Sequence, residues 1–179
     1  MSKLFPTVLG VAALLAVAPS SNAAEVFAGV YGHDLPFTAI GGFEEGAQLT
    51  AGVRGDRIES LRAIGRPQAY AQGAVNTSGG LNFATAGLSW RFELGSGFYV
   101  QPGIGAAVHD GVVEDFQRSQ DELNLGSRLL FAPELSLGRR FGERWGAELS
   151  WIHLSHGQRA GGQNPGLDEV GVRITYALR

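Results

Sequence analysis

The chain has 179 residues and a formal net charge of −3, from 14 Lys and Arg against 17 Asp and Glu. The charges are scattered, so no basic stripe indicates a nucleic acid partner or an anionic lipid surface. The sequence contains no cysteine. This excludes a disulfide-stapled scaffold, a zinc site built on thiolates and a cysteine nucleophile.

The first 24 residues have the pattern of an export signal. Lys3 gives a positive start, residues 8–18 are an unbroken apolar run, and small residues at 21–24 offer a cleavage site. The apolar run is shorter than the about 20 residues that a membrane-spanning helix needs. We therefore expect residues 1–24 to be a signal peptide and residues 25–179 to form a single β-barrel domain.

After the signal, short segments in which apolar residues alternate with small or polar ones recur along the chain, separated by Gly, Ser, Asn and Asp. The connection at 56–65 is longer than the other turns on its side, and the sequence offers no reason for its length. The pattern predicts eight strands, over residues 25–31, 47–54, 66–76, 82–94, 98–110, 129–139, 145–156 and 168–178.

The two faces of these strands differ in composition. One face carries Leu, Val, Phe and Trp over about ten residues, the length that a tilted strand needs to cross the hydrocarbon. The other mixes Gly and Ala with Arg, Glu and Gln, which suits the narrow interior of a small barrel. We predict an all-β, eight-stranded antiparallel transmembrane β-barrel in the outer membrane of a Gram-negative bacterium. A soluble lipocalin-like barrel is the alternative, since its strands alternate in the same way.

The lengths of the connections predict the direction in which the strands cross the membrane. Short turns at 94–97 and 141–144 and long loops at 109–127 and 156–167 indicate that strand 145–156 runs toward the cell exterior.

His109 inside the barrel and His33 in the first outer loop are expected to be hydrogen-bonded or solvated residues rather than ligands. We expect a charge network in the lumen, formed by Arg91, Glu93, Glu134, Glu148 and Arg173.

Two polar residues share the apolar face of strand 145–156. His153 and Ser155 lie on that face together with Trp151, and polar groups that face lipid need partners. Same-face residues lie about 6.6 to 6.8 Å apart, so an imidazole can swing to the next hydroxyl. If Trp151 pairs with Val170, Asp168 lies opposite His153, with Cβ atoms about 4.5–5.5 Å apart. The pattern predicts a surface cluster of Ser155, His153 and Asp168.

The neighbouring acid, Glu169, falls on the inner face, where we expect it to point toward Arg173. A β-bulge near Gly166 would exchange the faces of the two acids. The alternative for His153 and Ser155 is an interfacial hydrogen-bonding pair without chemistry.

The tripeptide His153-Leu154-Ser155, followed by a loop and by Asn-Pro-Gly-Leu-Asp at 164–168, resembles the PagL-type lipid A 3-O-deacylase family. The similarity is specific over residues 145–179. It implies an outer-membrane carboxylic ester hydrolase that removes the 3-position acyl chain of lipid A in lipopolysaccharide, with no metal or cofactor. It also implies a serine triad in which Ser155 is the nucleophile, His153 the general base and Asp168 the acid, where the family usually has Glu.

The sequence departs from the family after the serine. The family has Asn there, implicated in the oxyanion hole, and this chain has His156. A ring N–H of His156 or a backbone amide near Gly157 is the replacement donor, and losing one such donor can cost on the order of 100-fold in rate. A non-catalytic barrel whose long loops bind a surface partner is the competing hypothesis. The sequence leaves open whether two barrels form a homodimer.

Overall fold

The computed structural model describes residues 23–113, 123–157 and 164–178. Nearly all of the predicted signal peptide lies outside these ranges and stays a prediction. Within them, no helix is long and apolar enough to span a membrane.

The described residues form one closed antiparallel sheet. β1 pairs with both β2 and β9, and β4 pairs with β6, which closes the ring. β4 and β5 lie end to end along β6 and together make one barrel strand, so the predicted eight-stranded antiparallel β-barrel is confirmed. The strands are β1 Ala23–Gly32, β2 Ala47–Arg57, β3 Gln68–Asn76, β4 Phe83–Ser89, β5 Phe92–Gly95, β6 Phe98–His109, β7 Leu129–Phe141, β8 Trp145–Leu154 and β9 Leu167–Ala177.

The predicted strand at 82–94 is interrupted between β4 and β5. Leu88 pairs with Ile104 and Phe92 with Val100, a single register that puts Trp90 opposite Pro102. The Trp90 N–H donates to the Pro102 carbonyl at 2.9 Å, but proline has no N–H to return the bond. The prediction of an unbroken strand was therefore wrong, because a residue on the neighbouring strand breaks the ladder.

The long connection between β2 and β3 contains a 3-10 helix, Glu59–Ile64, which ends at Gly65 with a left-handed φ of 91°. It packs against the interruption, where the Trp90 indole N–H donates to the Ile64 carbonyl at 2.7 Å. Among the residues that the structure describes, β5 pairs only with β6, so the connection lies where the sheet lacks a second neighbour. Its length, unexplained from sequence, follows from this place in the fold.

The barrel is apolar outside and charged inside. Arg54 and Arg173 in the lumen are 0% and 1% exposed. This distribution is the one that hydrocarbon requires, and the reverse of that in a soluble lipocalin-like barrel. Six outward-facing side chains from around the barrel are between 46% and 61% exposed: Val30, Leu49, Ile104, Leu129, Leu149 and Val172.

Ion pairs fill the lumen toward the end with short turns. Arg173 binds Glu148 and also donates to Ser136 at 2.8 Å, and the Tyr99 hydroxyl donates to Glu148 at 2.7 Å. Arg54 and Arg91 both contact Glu25, Arg91 at 2.9 Å. The predicted network thus exists, with Glu25 and Arg54 as additional members.

Glu93 was wrongly placed in this network. Its side chain is 41% exposed and forms an ion pair of 2.9 Å with Arg140. β5 extends past the part of the barrel in which each strand has a neighbour on both sides. Glu93 is an inward-facing position by alternation, but at this place on β5 its side chain is not enclosed by the lumen.

The end of the barrel with long loops is filled by an apolar cluster. Tyr31, Phe83, Ile152 and Leu154 of the barrel wall pack there against Leu81, Leu123 and Leu125 of the loops. Side chains therefore occupy both halves of the lumen.

The first outer loop, residues 33–46, is tied to the barrel interior by His33. The buried His33 ring contacts Glu169 of β9 through Nδ1 at 2.5 Å and Glu44 through Nε2 at 2.7 Å. When both carboxyl groups are ionised, the ring satisfies them by donating from both nitrogens, which only the imidazolium can do. Burial alone would lower the pKa of His33, but the hydrogen bonds to Glu169 and Glu44 outweigh burial and raise it from 6.5 to about 9.

Replacing Arg173 by Met should destabilise the barrel strongly. The substitution leaves Glu148 and Ser136 without their main donor in a closed lumen, and breaking a buried pair typically costs about 3–5 kcal/mol. Urea unfolding in phospholipid vesicles, followed by tryptophan fluorescence, measures the free energy. The matched control is Arg140→Met, which breaks the exposed pair with Glu93 and should cost about 1 kcal/mol or less. Equal losses in the two variants would contradict a structural lumen network.

His33 should make the stability of the barrel depend on pH. Because its folded pKa of about 9 lies above the ordinary histidine pKa of 6.5, its contribution is complete below pH 6.5 and disappears as the pH rises through 9. Urea unfolding of the parent should therefore show a free energy that falls between these values. His33→Gln should lose that part of the fall, and an identical pH dependence in both proteins would contradict the assignment.

Candidate active site

The β8–β9 hairpin has the predicted register. Trp151 pairs with Val170 and His153 with Asp168. His153 Nδ1 lies 2.9 Å from Asp168 Oδ1. The pairing of β8 with β9 runs from Trp145 to Leu154 without a register shift, so Asp168, and not Glu169, shares the outer face with His153.

The Asp168 carboxylate points outward from the barrel and is nevertheless 0% exposed. The first outer loop covers it: the N–H groups of Thr38 and Ala39 both donate to Oδ2, the latter at 2.5 Å. The Thr38 hydroxyl lies 2.9 Å from the same oxygen, and the Trp151 indole donates to Oδ1 at 2.8 Å. With His153 there are five donors, which favour the ionised carboxylate.

The loop is held against the hairpin by its backbone. The Leu35 N–H donates to the Asp168 carbonyl at 3.0 Å, and the Ile40 N–H to the Pro165 carbonyl at 3.4 Å. Gly166 allows this close packing, since it has a left-handed φ of 76° and an added Cβ would lie 2.9 Å from His153 Cε1. The glycine of the Asn-Pro-Gly-Leu-Asp segment thus gives the imidazole its space.

Ser155 lies one residue beyond the end of β8. It forms a backbone bridge to Phe131 of β7, accepting at 2.7 Å and donating at 3.1 Å. The alternating burial of residues 151–156 puts Ser155 on the same face as His153. The structure has no hydrogen bond between these two residues, both of which it describes. It brings His153 and Asp168 into contact and leaves Ser155 next to them along the strand direction.

His156 and Gly157 differ in their surroundings. The His156 side chain is 3% exposed, and its backbone N–H donates to Asn164 Oδ1 at 3.3 Å. Gly157 is exposed and has a left-handed φ of 59°. These two residues follow Ser155 directly, at the start of the outer loop.

Glu169 lies inside the barrel as predicted, but its predicted neighbour was wrong. It contacts His33, whereas Arg173 contacts Glu148. Positions 169 and 173 are four residues apart on one strand, a separation of about 13 Å. That distance is too long for direct contact between the two side chains.

Sequence reasoning missed the groups that enclose Asp168. Trp151 could have been predicted from the sequence, because strand alternation places it on the outer face beside His153. No sequence pattern could have predicted Thr38 and Ala39, because their loop lacks periodicity and its fold depends on contacts with β9.

The geometry suits acid–base chemistry at His153. Its Nδ1 is engaged by Asp168, which leaves Nε2 as the nitrogen that can accept a proton. Within residues 23–113, 123–157 and 164–178, no group of three or more His, Asp or Glu could hold a metal ion.

Comparisons with known proteins identify the family and the fold. A family model described as lipid A 3-O-deacylase (PagL) matches residues 46–177. The crystal structure of the outer membrane enzyme PagL is similar with a TM-score of 0.61 and 20% identity, over 85% of this chain and 98% of that one.

The fold is shared more widely. The N-terminal β-barrel domain of Pseudomonas aeruginosa OprF is similar with a TM-score of 0.54 and 11% identity, over 87% of this chain and 98% of that one. A search of curated proteins gave no match. At these identities the two structures support the barrel fold alone, and the family model, which covers most of the sequence, supports the family. The chain belongs to the lipid A 3-O-deacylase (PagL) family.

Proposed function

We propose that this outer-membrane lipid A 3-O-deacylase acts as a serine esterase, with Ser155 as nucleophile, His153 as general base and Asp168 as the acid that orients the base. The observation that carries the proposal is the 2.9 Å contact between His153 Nδ1 and Asp168 Oδ1. It supports the imidazole tautomer that a serine triad needs. Ser155, on the same face, is the hydroxyl that follows this histidine.

In the proposed reaction, the Ser155 oxygen attacks the ester carbonyl carbon while His153 Nε2 takes the hydroxyl proton. The carbonyl oxygen becomes an oxyanion. When it collapses, the bond from carbon to the sugar oxygen breaks, and His153 gives its proton to that oxygen. A water molecule, deprotonated by His153, then attacks the acyl carbon of the acyl-serine. The bond from that carbon to the Ser155 oxygen breaks, His153 returns the proton to the Ser155 oxygen, and the fatty acid leaves.

For the oxyanion we propose the backbone N–H of Gly157 as donor, with His156 in support. The burial of the His156 side chain and the bond from its N–H to Asn164 favour Gly157 over the His156 ring. A backbone donor is also compatible with the absence of the family's Asn at position 156, because an amide of any residue can stabilise the developing charge.

The position of the site suits a lipid ester. Ser155 lies just beyond β8, at the end of the barrel that has long loops, while Leu149 lower on the same face is 56% exposed. A lipid can therefore place its acyl chain along the apolar wall and its ester near the headgroup level, where water is available. One chain is sufficient for this mechanism, because all three groups belong to the β8–β9 hairpin.

Ser155→Ala should abolish deacylation while leaving the barrel folded, because loss of one triad member removes about a thousandfold or more of the rate. Mass spectrometry of lipid A after incubation with purified protein measures the lost acyl chain, and gel mobility before and after boiling monitors folding. Ser127→Ala, which changes another serine near the outer end of the barrel, is the matched control and should retain activity. An active Ser155→Ala variant would show that the nucleophile is elsewhere.

Asp168→Asn and Glu169→Gln should separate the roles of the two adjacent acids. Asp168→Asn should lower turnover by about 10³-fold or more, since the amide favours the wrong imidazole tautomer. Glu169→Gln should retain most of the activity and chiefly lower stability, because its partner is His33 in the lumen. The reverse result, with a folded but inactive Glu169→Gln and an active Asp168→Asn, would defeat the assignment.

A further inference from the structure

We propose that Thr38, on the first outer loop, is a positioning residue of the esterase reaction. The inference rests on the proposed function, because it assigns Thr38 to the support of His153 and Asp168. Thr38 precedes residues 46–177, the stretch that the family model matches.

The Thr38 hydroxyl contacts two members of the proposed triad. Its oxygen lies 3.0 Å and 2.9 Å from the two Asp168 carboxylate oxygens and 3.2 Å from His153 Nδ1. A hydroxyl has one hydrogen to donate, which goes to the carboxylate, and lone pairs that can accept. The hydrogen on His153 Nδ1 therefore has acceptors on both Asp168 and Thr38.

This arrangement fixes the orientation of the imidazole from two sides. Asp168 alone could accept from Nδ1 over a range of ring positions, and the second acceptor on Thr38 narrows that range. Keeping the hydrogen on Nδ1 keeps Nε2 basic and directed away from the carboxylate. Thr38 touches no reacting atom, so its effect is transmitted through His153.

The loop that carries Thr38 is fixed independently of that hydroxyl. The N–H groups of Leu35, Thr38 and Ala39 all donate to Asp168, and His33 anchors the start of the loop in the lumen. A substitution that removes only the hydroxyl should therefore leave the loop in place. This separation makes the role of the hydroxyl testable.

The test compares Thr38→Val, which replaces the hydroxyl by a methyl, with Thr38→Ser, which keeps it. Thr38→Val should lower kcat about tenfold with KM within about twofold of the parent, because a hydrogen bond to a charged group is worth about a factor of ten or more. Thr38→Ser should restore kcat to within about twofold. The matched control is Thr77→Val in the next outer loop, where the hydroxyl accepts from the Ala47 N–H at 2.9 Å; its activity should be unchanged.

A double variant links the effect to the triad. In the Asp168→Asn background, Thr38→Val should cause no further loss of kcat, since two residues that act through one group are not additive. All variants are assayed as folded barrels in detergent micelles with lipopolysaccharide, and gel mobility confirms folding.

The outcomes separate this inference from the proposed function. Full activity of Thr38→Val, beside an inactive Ser155→Ala, overturns the role of Thr38 and leaves the triad standing. Equal losses in Thr38→Val and Thr38→Ser, or a further loss in the double variant, also overturn it. An active Ser155→Ala variant overturns the triad and this inference with it.

Discussion

A carboxylate on the outer wall of a membrane barrel must have its hydrogen bonds supplied by the protein, because hydrocarbon offers none. Asp168 meets this requirement with five donors, from Thr38, Ala39, Trp151 and His153. Three of these donors belong to the first outer loop, so the loop must fold down over the wall. The histidine is oriented as a result, because its Nδ1–H is one of the donors that the carboxylate needs.

The wall is one strand thick, and two consecutive acids use its two sides. Asp168 holds the loop from outside through Thr38 and Ala39, while Glu169 holds the same loop from inside through His33. The loop is thus clamped at two points separated only by the thickness of β9. This explains why a segment with little regular structure of its own keeps a defined position beside the hairpin.

Strand positions, the faces of the strands and the hairpin register could be predicted from sequence, because alternation and pairing are local and repeat along the chain. The break at Trp90 could not be predicted in this way. It arises because Pro102 lies opposite Trp90 on the neighbouring strand, and the presence of a proline in the sequence does not show which residue it faces. Glu93 was misplaced because alternation does not reveal where the barrel ends. Thr38 escaped prediction because its partner is 130 residues away and its loop has no period.

The filled lumen determines how such an enzyme exchanges material with its surroundings. Ion pairs occupy one half of the interior and the apolar cluster the other, so neither lipid nor fatty acid travels through the protein. Both arrive and depart sideways, by diffusion within the leaflet around the barrel. Turnover is then governed by the surface density of substrate in a two-dimensional fluid, and by how readily that fluid mixes, rather than by any concentration in the water on either side.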